Sequence, residues 1–545
     1  MSSNTDLRKK LLELLHNEYS AENILASCIY GSFAAGYARA NSDYDIIVIL
    51  KNYRAKIGYR YIKEPLLCSI LAIEQKMFLD DVRKSGLGEF VCGRFLNIYE
   101  PLEGQDFLEN AESEYKKRII MEFLMEFNGK YHPILDLIKF PLKYFLFEKL
   151  RRRALFYPPA LYSYTKTYTS TSKERNLEFT LKGFKSAAAR LSEENDSVIF
   201  SEDKVWVGDI KAFNKTSKLK RVMEETKRDI TSYATHLYAG RVGFNIIVDE
   251  LKSKIERQRK LEPIEVLKHT CNYLEIPEGR LIVNEKNWIA RIAEYLGIKG
   301  AFQYKTQKIG GYWIDKIVNV AQKCTLEGDG KTYEFVIKKF NDPRNIKWAV
   351  LALVTLTDKR FEFMPLKRLG IEYRMNITFR TNGFLTPKVY ALDFDRAQLA
   401  TEYIKGKTVG SLLVKKGTEK LIEEVGQVIG NLHSKGLTLG DSKPDNMIYT
   451  NNGVFFIDLE QAKIGGDKTW DLAEFLNYSL AFTLNTEAAE SLSYSFAIGY
   501  IKNGSGKDLE KTKELRYAGI FKPIVAPNVS KAVNVGIEKA LHSKL

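Results

Sequence analysis

The sequence predicts a multidomain chain that mixes α/β and α+β architecture: an N-terminal α/β domain, a mainly helical basic middle region and a C-terminal mixed domain. Its 545 residues exceed what one hydrophobic core serves, since a domain runs to roughly 150 residues. Strand-length apolar runs alternate with helical periodicity at the start, helical spacing dominates the centre, and strand-like runs followed by helices close the chain. The hydrophobic fraction of 45% and charged fraction of 28% are those of ordinary globular proteins.

Residues 1–105 open on a helix whose Leu7, Leu11, Leu12, Leu14 and Leu15 are interleaved with charges, unlike the unbroken apolar centre of a signal peptide. Apolar runs at Ile24–Tyr30, Ile46–Leu50 and Leu66–Ile73 predict strands, the first two joined through a Gly-containing turn; a helix follows over Gln75–Lys84 and the unit closes near Pro101–Gln105. Residues 106–261 are helical through Leu150, then change character at Arg151-Arg152-Arg153 and Tyr157-Pro158-Pro159, where a loop or substrate-facing surface is expected. Ser197–Lys211 predicts a hairpin around Glu202 and Asp203, and Leu219–Lys260 returns to helical spacing, ending in a solvated helix end or linker at Lys252–Lys260. Residues 262–545 begin with helices, continue as strands at Trp313–Lys323 and Tyr333–Phe340 around the turn Gly328-Asp329-Gly330, and end as helices from about Thr469. Gly330-Lys331-Thr332 looks like the end of a P-loop, but that motif's first glycine would fall at Thr325, so a hairpin turn is the better reading.

Several classes are excluded. Cys28, Cys68, Cys92, Cys271 and Cys324 are scattered and the six histidines do not cluster, so buried reduced thiols are expected and zinc chemistry has little material. The apolar run Ala349–Leu356 is far short of the roughly 20 residues of a membrane helix, and a cytoplasmic address is expected. The net charge of +15 divides as 0 over 1–105, +8 over 106–261 and +7 over 262–545, densest in the middle.

The first chemical constellation is Gly31-Ser32-Phe33-Ala34-Ala35-Gly36-Tyr37-Ala38-Arg39, then Ser42-Asp43-Tyr44-Asp45 before Ile46-Ile47-Val48. Carboxylates at i and i+2 of a strand point to one face, where both reach magnesium on triphosphate oxygens. Gly31 and Ser32, before a helix, offer backbone N–H groups and a hydroxyl to phosphate. This stretch resembles the minimal nucleotidyltransferases of the polymerase-beta superfamily, with their Gly-Ser turn, spaced Gly and Arg, and Ser-Asp-x-Asp before an apolar strand. The resemblance covers roughly the first hundred residues, through Tyr99-Glu100-Pro101-Leu102. It implies nucleoside monophosphate transfer from an NTP to a hydroxyl, phosphate or protein side chain, with Asp43 and Asp45 as catalytic metal ligands. That family's third carboxylate is expected on the next strand, near Leu67-Cys68-Ser69-Ile70, where this chain offers Ser69 and Glu74 is the nearest replacement.

The second constellation is Leu439-Gly440-Asp441-Ser442-Lys443-Pro444-Asp445-Asn446, then Phe456-Ile457-Asp458-Leu459-Glu460 and Trp470-Asp471-Leu472-Ala473-Glu474-Phe475. Kinase chemistry wants an Asp near the acceptor hydroxyl, an Asn five residues later on metal, and an Asp at a strand end bridging magnesium to phosphates; Asp441, Asn446 and Asp458 fit. Phe335-Val336-Ile337-Lys338 reads as the strand whose Lys contacts phosphates, with Glu372 its ion-pair partner on a helix and Lys339 facing the other side. This half resembles the small atypical kinases of the RIO type and their archaeal relatives, including those similar to lipopolysaccharide kinases and aminoglycoside phosphotransferases, over about 310–480. The resemblance implies a bilobal protein-kinase-like domain, N-lobe about 300–402 and C-lobe about 403–545. It also implies an adenine-binding hinge at Glu402-Tyr403-Ile404 with Gly406, and Lys443 among the nucleotide-binding residues. Leu439 replaces the usual His, Asp-Leu-Glu stands in place of Asp-Phe-Gly, and no glycine-rich phosphate loop of conventional spacing is present.

In the middle, Arg151, Arg152, Arg153, Lys166, Lys173 and Lys182 accompany Tyr157, Tyr162, Tyr164 and Tyr168. Cations with stacking rings can dock RNA, although charged helix faces over core tyrosines give the same composition and are the stronger reading. The sequence thus predicts a phosphotransferase that uses ATP or another NTP with magnesium or manganese. Its acceptor would be a protein, an RNA or a small molecule. The alternative is a regulatory or RNA-binding protein using both folds as nucleotide sensors.

Overall fold

The structure, a computed structural model, describes residues 2–156, 159–210, 228, 231, 232, 234, 235, 239, 273–283, 287–308, 319–340, 362, 364–413, 417–480, 485–522 and 525–543. Tyr157, Pro158, Cys271, most of the helix expected over 219–260 with its 252–260 linker, the start of the strand expected from Trp313, and the apolar run 349–356 lie outside them. The chain divides into two compact units, residues 1–130 with 135–274, and residues 131–134 with 275–545.

In the first unit, β1 (Ile24–Tyr30), β2 (Tyr44–Leu50), β3 (Ile57–Ile62), β4 (Cys68–Glu74) and β5 (Glu100–Glu103) form a sheet in the order β3-β4-β2-β1-β5. Only β2 and β4 run parallel; the other pairs are antiparallel. β2 is buried from Ile46 to Leu50, which explains its unbroken apolar run in place of alternation. Helix α1 (Ser2–Tyr19) lays Leu11, Leu14 and Leu15 on Ile46, Val48 and Ile70, the i, i+3, i+4 stripe of a core-facing helix. The short α2 (Gly31–Ala35) follows β1, and α3 (Gln75–Lys84) follows β4. β3 has no counterpart among the strands expected from the sequence. Its exposed Arg60 and Tyr61 mark a half-buried edge strand, which lacks the continuous apolar run that revealed its neighbours.

Residues beyond 105 complete this unit with α4 (Gln105–Tyr131), α5 (Leu142–Phe156), α6 (Pro159–Thr169) and α7 (Lys173–Glu194), plus a small sheet of β6 (Phe140–Pro141), β7 (Val198–Ser201) and β8 (Lys204–Val207). The β7–β8 hairpin turns on Glu202 and Asp203, both at positive φ (50° and 58°), as a two-residue hairpin loop requires.

A buried ion network ties these helices to the sheet domain. Asp81 accepts the backbone N–H groups of Leu87, Glu89, Val91 and Cys92 and so shapes the loop carrying Glu89. The Glu89 carboxylate, 2% exposed, meets Lys149 and Arg153 at 2.8 Å and Arg118 at 3.1 Å. Burial alone would raise its pKa, but Lys149, Arg118, Arg153 and Arg228 hold it well below the usual carboxylate value.

The second unit is built on a seven-stranded sheet, β11-β12-β13-β15-β14-β10-β9. Its strands are β9 (Tyr273–Glu275), β10 (Arg280–Ile282), β11 (Phe302–Lys308), β12 (Asn319–Gly328), β13 (Lys331–Phe340), β14 (Val389–Asp393) and β15 (Gln398–Glu402). Helices α8 (Trp288–Tyr295) and α9 (Pro365–Thr381) belong with it. A helical region follows, from α10 (Val409–Leu413) and α11 (Glu419–Ser434) through α12 (Lys468–Ser479), α13 (Thr486–Ile501), α14 (Gly506–Lys511) and α15 (Leu515–Phe521) to α16 (Pro527–His542). Two small sheets sit within it, β16 (Lys407–Thr408) with β18 (Met447–Thr450) and β19 (Gly453–Phe456), and β17 (Leu437–Thr438) with β20 (Lys463–Ile464). One core gathers Ile422, Val425, Ile429, Phe456, Leu472, Phe475, Phe496 and Ile537. Among the described residues no helix is long and apolar enough to cross a membrane.

Removing one member of a buried ion cluster leaves its partners uncompensated, at about 3–5 kcal/mol. Glu89→Gln should therefore destabilise the chain by about that much at pH 7 in denaturant melts. A carboxylate with a lowered folded pKa contributes fully above its unfolded value and loses that contribution on acidification. The gap between wild type and variant should accordingly hold at neutral pH and narrow only below about pH 4.5.

Candidate functional site

In the first unit the Gly-Ser turn joins β1 to α2. Gly31 has φ +75°, and a Cβ there would lie 2.4 Å from Asp45 Oδ2, so only glycine lets the Asp45 carboxylate approach the turn. Asp43 immediately precedes β2 and Asp45 is its second residue, which sends both side chains to one face. Ser32, half-buried, is on the first turn of α2. Asp45 pairs in register with Ser69 on the parallel strand β4, so Ser69 shares that face. Its Oγ is buried without a hydrogen-bond partner among the described residues. Glu74 pairs with Leu50 instead, five residues along the strand, and binds Lys56 at 2.5 Å. At roughly 3.3 Å per residue it cannot stand in for a third carboxylate beside Asp45.

Helix α7 holds α2 in place: Arg175 donates to the Ala34 carbonyl, and Asn176 Nδ2 to that of Ala35 at 2.9 Å. Sequence spacing could not connect residues so far apart.

In the second unit, Lys338 on β13 sends its ammonium to Asp458 at 2.5 Å, Glu372 at 2.9 Å and Glu460 at 3.1 Å. One oxygen from each of Glu372, Asp458 and Glu460 lies within 4.8 Å of the others. Burial would lower the Lys338 pKa, but Asp458, Glu372 and Glu460 together hold it raised. Burial pushes Asp458 up to about 7 against the pull of Lys338, and Glu460 adds to the rise. Asp458 also has φ +61°, a left-handed conformation uncommon outside glycine. Lys339 faces outward and is exposed.

Asn446 Nδ2 donates to the Asp441 carbonyl at 3.1 Å, the Asn446 carbonyl accepts the N–H of Ile457, next to Asp458, at 2.9 Å, and the Asp441 charge adds to the rise of the Asp458 pKa. Lys443 reaches Asp441 at 3.0 Å. Asp471 accepts the N–H groups of Leu439 and Gly440, at 2.6 and 2.7 Å, and Glu474 accepts that of Ser442 at 2.7 Å. These two buried carboxylates fix the loop carrying Asp441. Glu402 ends β15 with its N–H donated to the Lys388 carbonyl at 2.8 Å, and its carboxylate accepts the Lys388 N–H at 3.2 Å.

β11 pairs with β12 so that Lys308 lies opposite Gln322, and β12 with β13 so that Ala321 lies opposite Lys338.

The expected substrate-facing surface at Arg151-Arg152-Arg153 is corrected. These residues lie on α5, with Arg151 and Arg152 on Glu148, Arg152 also on Glu126, and Arg153 on Glu89 and Tyr164. Tyr164 and Tyr168 are core residues, 3% and 7% exposed. The three arginines are paired internally, so of the group's described residues only Tyr162, Lys166, Lys173 and Lys182 are exposed.

The chain is a transferase built from two phosphate-handling folds. Residues 9–80 match the family described as polymerase beta, nucleotidyltransferase. The chain is also similar to a probable serine/threonine-protein kinase BUD32 homolog of Archaeoglobus fulgidus, 27% identical over 29% of this chain and 78% of that protein. The KEOPS complex subunit Bud32 of Pyrococcus abyssi is 37% identical over 15% of this chain and 38% of its own length. A probable bifunctional tRNA threonylcarbamoyladenosine biosynthesis protein of Methanococcus maripaludis is 28% identical over 20% of this chain and 21% of that one. The chain thus spans well under half of these last two relatives. The N-terminal residues thus match a polymerase-beta-type nucleotidyltransferase domain, and the chain also has Bud32-type kinase homologues.

With Ser69 on the face of Asp43 and Asp45, Ser69→Asp should supply the missing carboxylate. Nucleotidyl transfer from α-labelled NTPs should rise about 100-fold, the scale of one charge-stabilising group, while Ser69→Ala stays at the wild-type rate.

Proposed function

We propose that the kinase half transfers the ATP γ-phosphate to an acceptor hydroxyl and that the N-terminal domain binds NTP with weak nucleotidyl transfer. The observation that supports this reading is the pairing of Lys338 with Glu372 and Asp458, together with Asn446 hydrogen-bonded to the Asp441 carbonyl and to the N–H of Ile457 beside Asp458. Lys338, held by Glu372, would bind phosphate oxygens; Asp441 would orient the acceptor hydroxyl and take its proton. Asn446 and Asp458 offer oxygen donors suited to magnesium, which when bound supplies charge neutralisation across the phosphates. In the N-terminal domain Asp43 and Asp45 would hold the metal, and Gly31 and Ser32 the triphosphate.

The relatives include a KEOPS complex subunit and tRNA threonylcarbamoyladenosine biosynthesis proteins. We place this chain in RNA-modification chemistry on that basis, with a protein assembly and RNA as partners. A second reading applies to the N-terminal domain alone: Ser69 beside Asp45 favours a nucleotide sensor with little turnover.

Incubation with α- and γ-labelled ATP separates the two chemistries. Label from the γ position should reach protein, RNA or a small molecule and vanish with Asp458→Asn, whereas α-label transfer should be weak and depend on Asp43 and Asp45. Undiminished γ-transfer by Asp458→Asn would remove that residue from the mechanism.

A further inference from the structure

Glu460 ends the Asp458-Leu459-Glu460 motif with a carboxylate where Asp-Phe-Gly has glycine, and none of the phosphate-transfer roles proposed above falls to it. It is 7% exposed, and Arg368, 1% exposed, grips it. Arg368 Nη2 donates to both carboxylate oxygens, at 2.8 and 2.9 Å, and Nε to Oε1 at 3.1 Å. Arg368 precedes Glu372 by one turn of α9, so the two side chains rise from one face. The Arg368 guanidinium and the Lys338 ammonium both lie over the ring of Phe340, at 5.6 and 4.9 Å, and Phe340 is itself buried at the end of β13.

We propose that Arg368 and Glu460 form a clamp that positions Lys338 and Asp458 for phosphate, a claim that rests on the kinase reading. Three carboxylates around one ammonium would draw Lys338 three ways. Arg368 neutralises Glu460 and leaves Lys338 set between Glu372 and Asp458. The clamp also fixes the backbone two residues beyond Asp458, whose left-handed φ persists only where its surroundings hold it. A neighbouring tie acts with it: Gln461 exchanges hydrogen bonds with the Glu362 backbone at 2.9 and 3.0 Å. Strand β13, helix α9 and the metal motif are thereby set at one spacing. Arg368 and Glu460 are positioning residues that act through Lys338 and Asp458.

A buried ion pair can instead be purely structural, and then replacing both partners by apolar residues is tolerated, whereas removing one is not. The deciding variant is the full chain carrying R368M and E460M together, compared with each single change. Thermal stability should fall in the singles and recover in the double. The double should still transfer γ-phosphate about 100-fold more slowly in kcat, the cost of misplaced reacting groups, and its amides at 457–462 should exchange faster. A double variant with wild-type kcat and exchange overturns the clamp. Should the double not fold, R368K keeps the charge but loses the bidentate fork, and wild-type kcat and exchange in R368K overturn it equally. E460Q raising the magnesium requirement while R368M leaves it unchanged would make Glu460 a metal ligand and also overturn it. If the wild-type chain transfers no phosphate, the kinase reading fails and amide exchange alone decides the clamp.

Discussion

The second unit is organised around one buried ammonium. Lys338 is a cation on a strand whose neighbours Ile337 and Phe340 are core residues, and a charge in that setting is tolerated only when paired and hydrogen-bonded. The chain meets this demand from two distant places: Glu372 on α9, and Asp458 and Glu460 beyond β19. The same requirement that makes Lys338 stable brings together the groups a nucleotide would engage. Phosphate oxygens and a divalent cation would exchange places with contacts that already exist, carboxylates turning to the metal and the ammonium to the phosphates.

The first unit meets a comparable constraint by different means. Its candidate nucleotide turn depends on an absent side chain, since a Cβ on Gly31 would collide with Asp45. Its larger charge cluster lies away from that turn, where Glu89 gathers Lys149, Arg118 and Arg153. Five cations of the basic middle region, Lys149, Arg118, Arg151, Arg152 and Arg153, are consumed there and on Glu126 and Glu148. Composition alone made that region look ready for polyanions. Of the cations and tyrosines that the sequence singled out, pairing and burial leave Lys166, Lys173 and Lys182 with Tyr162 exposed among the described residues.

Legibility from sequence followed how local the determining contact was. The Gly31-Ser32 turn, the Asp43 and Asp45 pair and the Asp441 to Asn446 spacing are set within a few residues, so each could be read directly. Strands β1, β2 and β4 were visible because both faces are buried and the apolar run is continuous. β3 escaped because its outward residues are polar. Glu460 was noticed only as a departure from a pattern, because its meaning depends on Arg368, 92 residues earlier. The roles of Asp471 and Glu474 as acceptors for the backbone of the Asp441 loop were equally hidden, and so were the internal partners of Arg151, Arg152 and Arg153. Long-range charge pairing leaves no periodicity in the chain.

Adjacent lysines give the most direct test of the central ion cluster. Lys338 points into the three carboxylates, whereas Lys339, the next residue of β13, is exposed on the other face. In calorimetric titrations of ATP with magnesium, Lys338→Met should weaken binding roughly 10–100-fold, the range for a charge-assisted contact. Lys339→Met should remain at the wild-type affinity. Equal losses for the two variants, or a loss confined to Lys339→Met, would contradict the arrangement of β13, α9 and Asp458 as the nucleotide site.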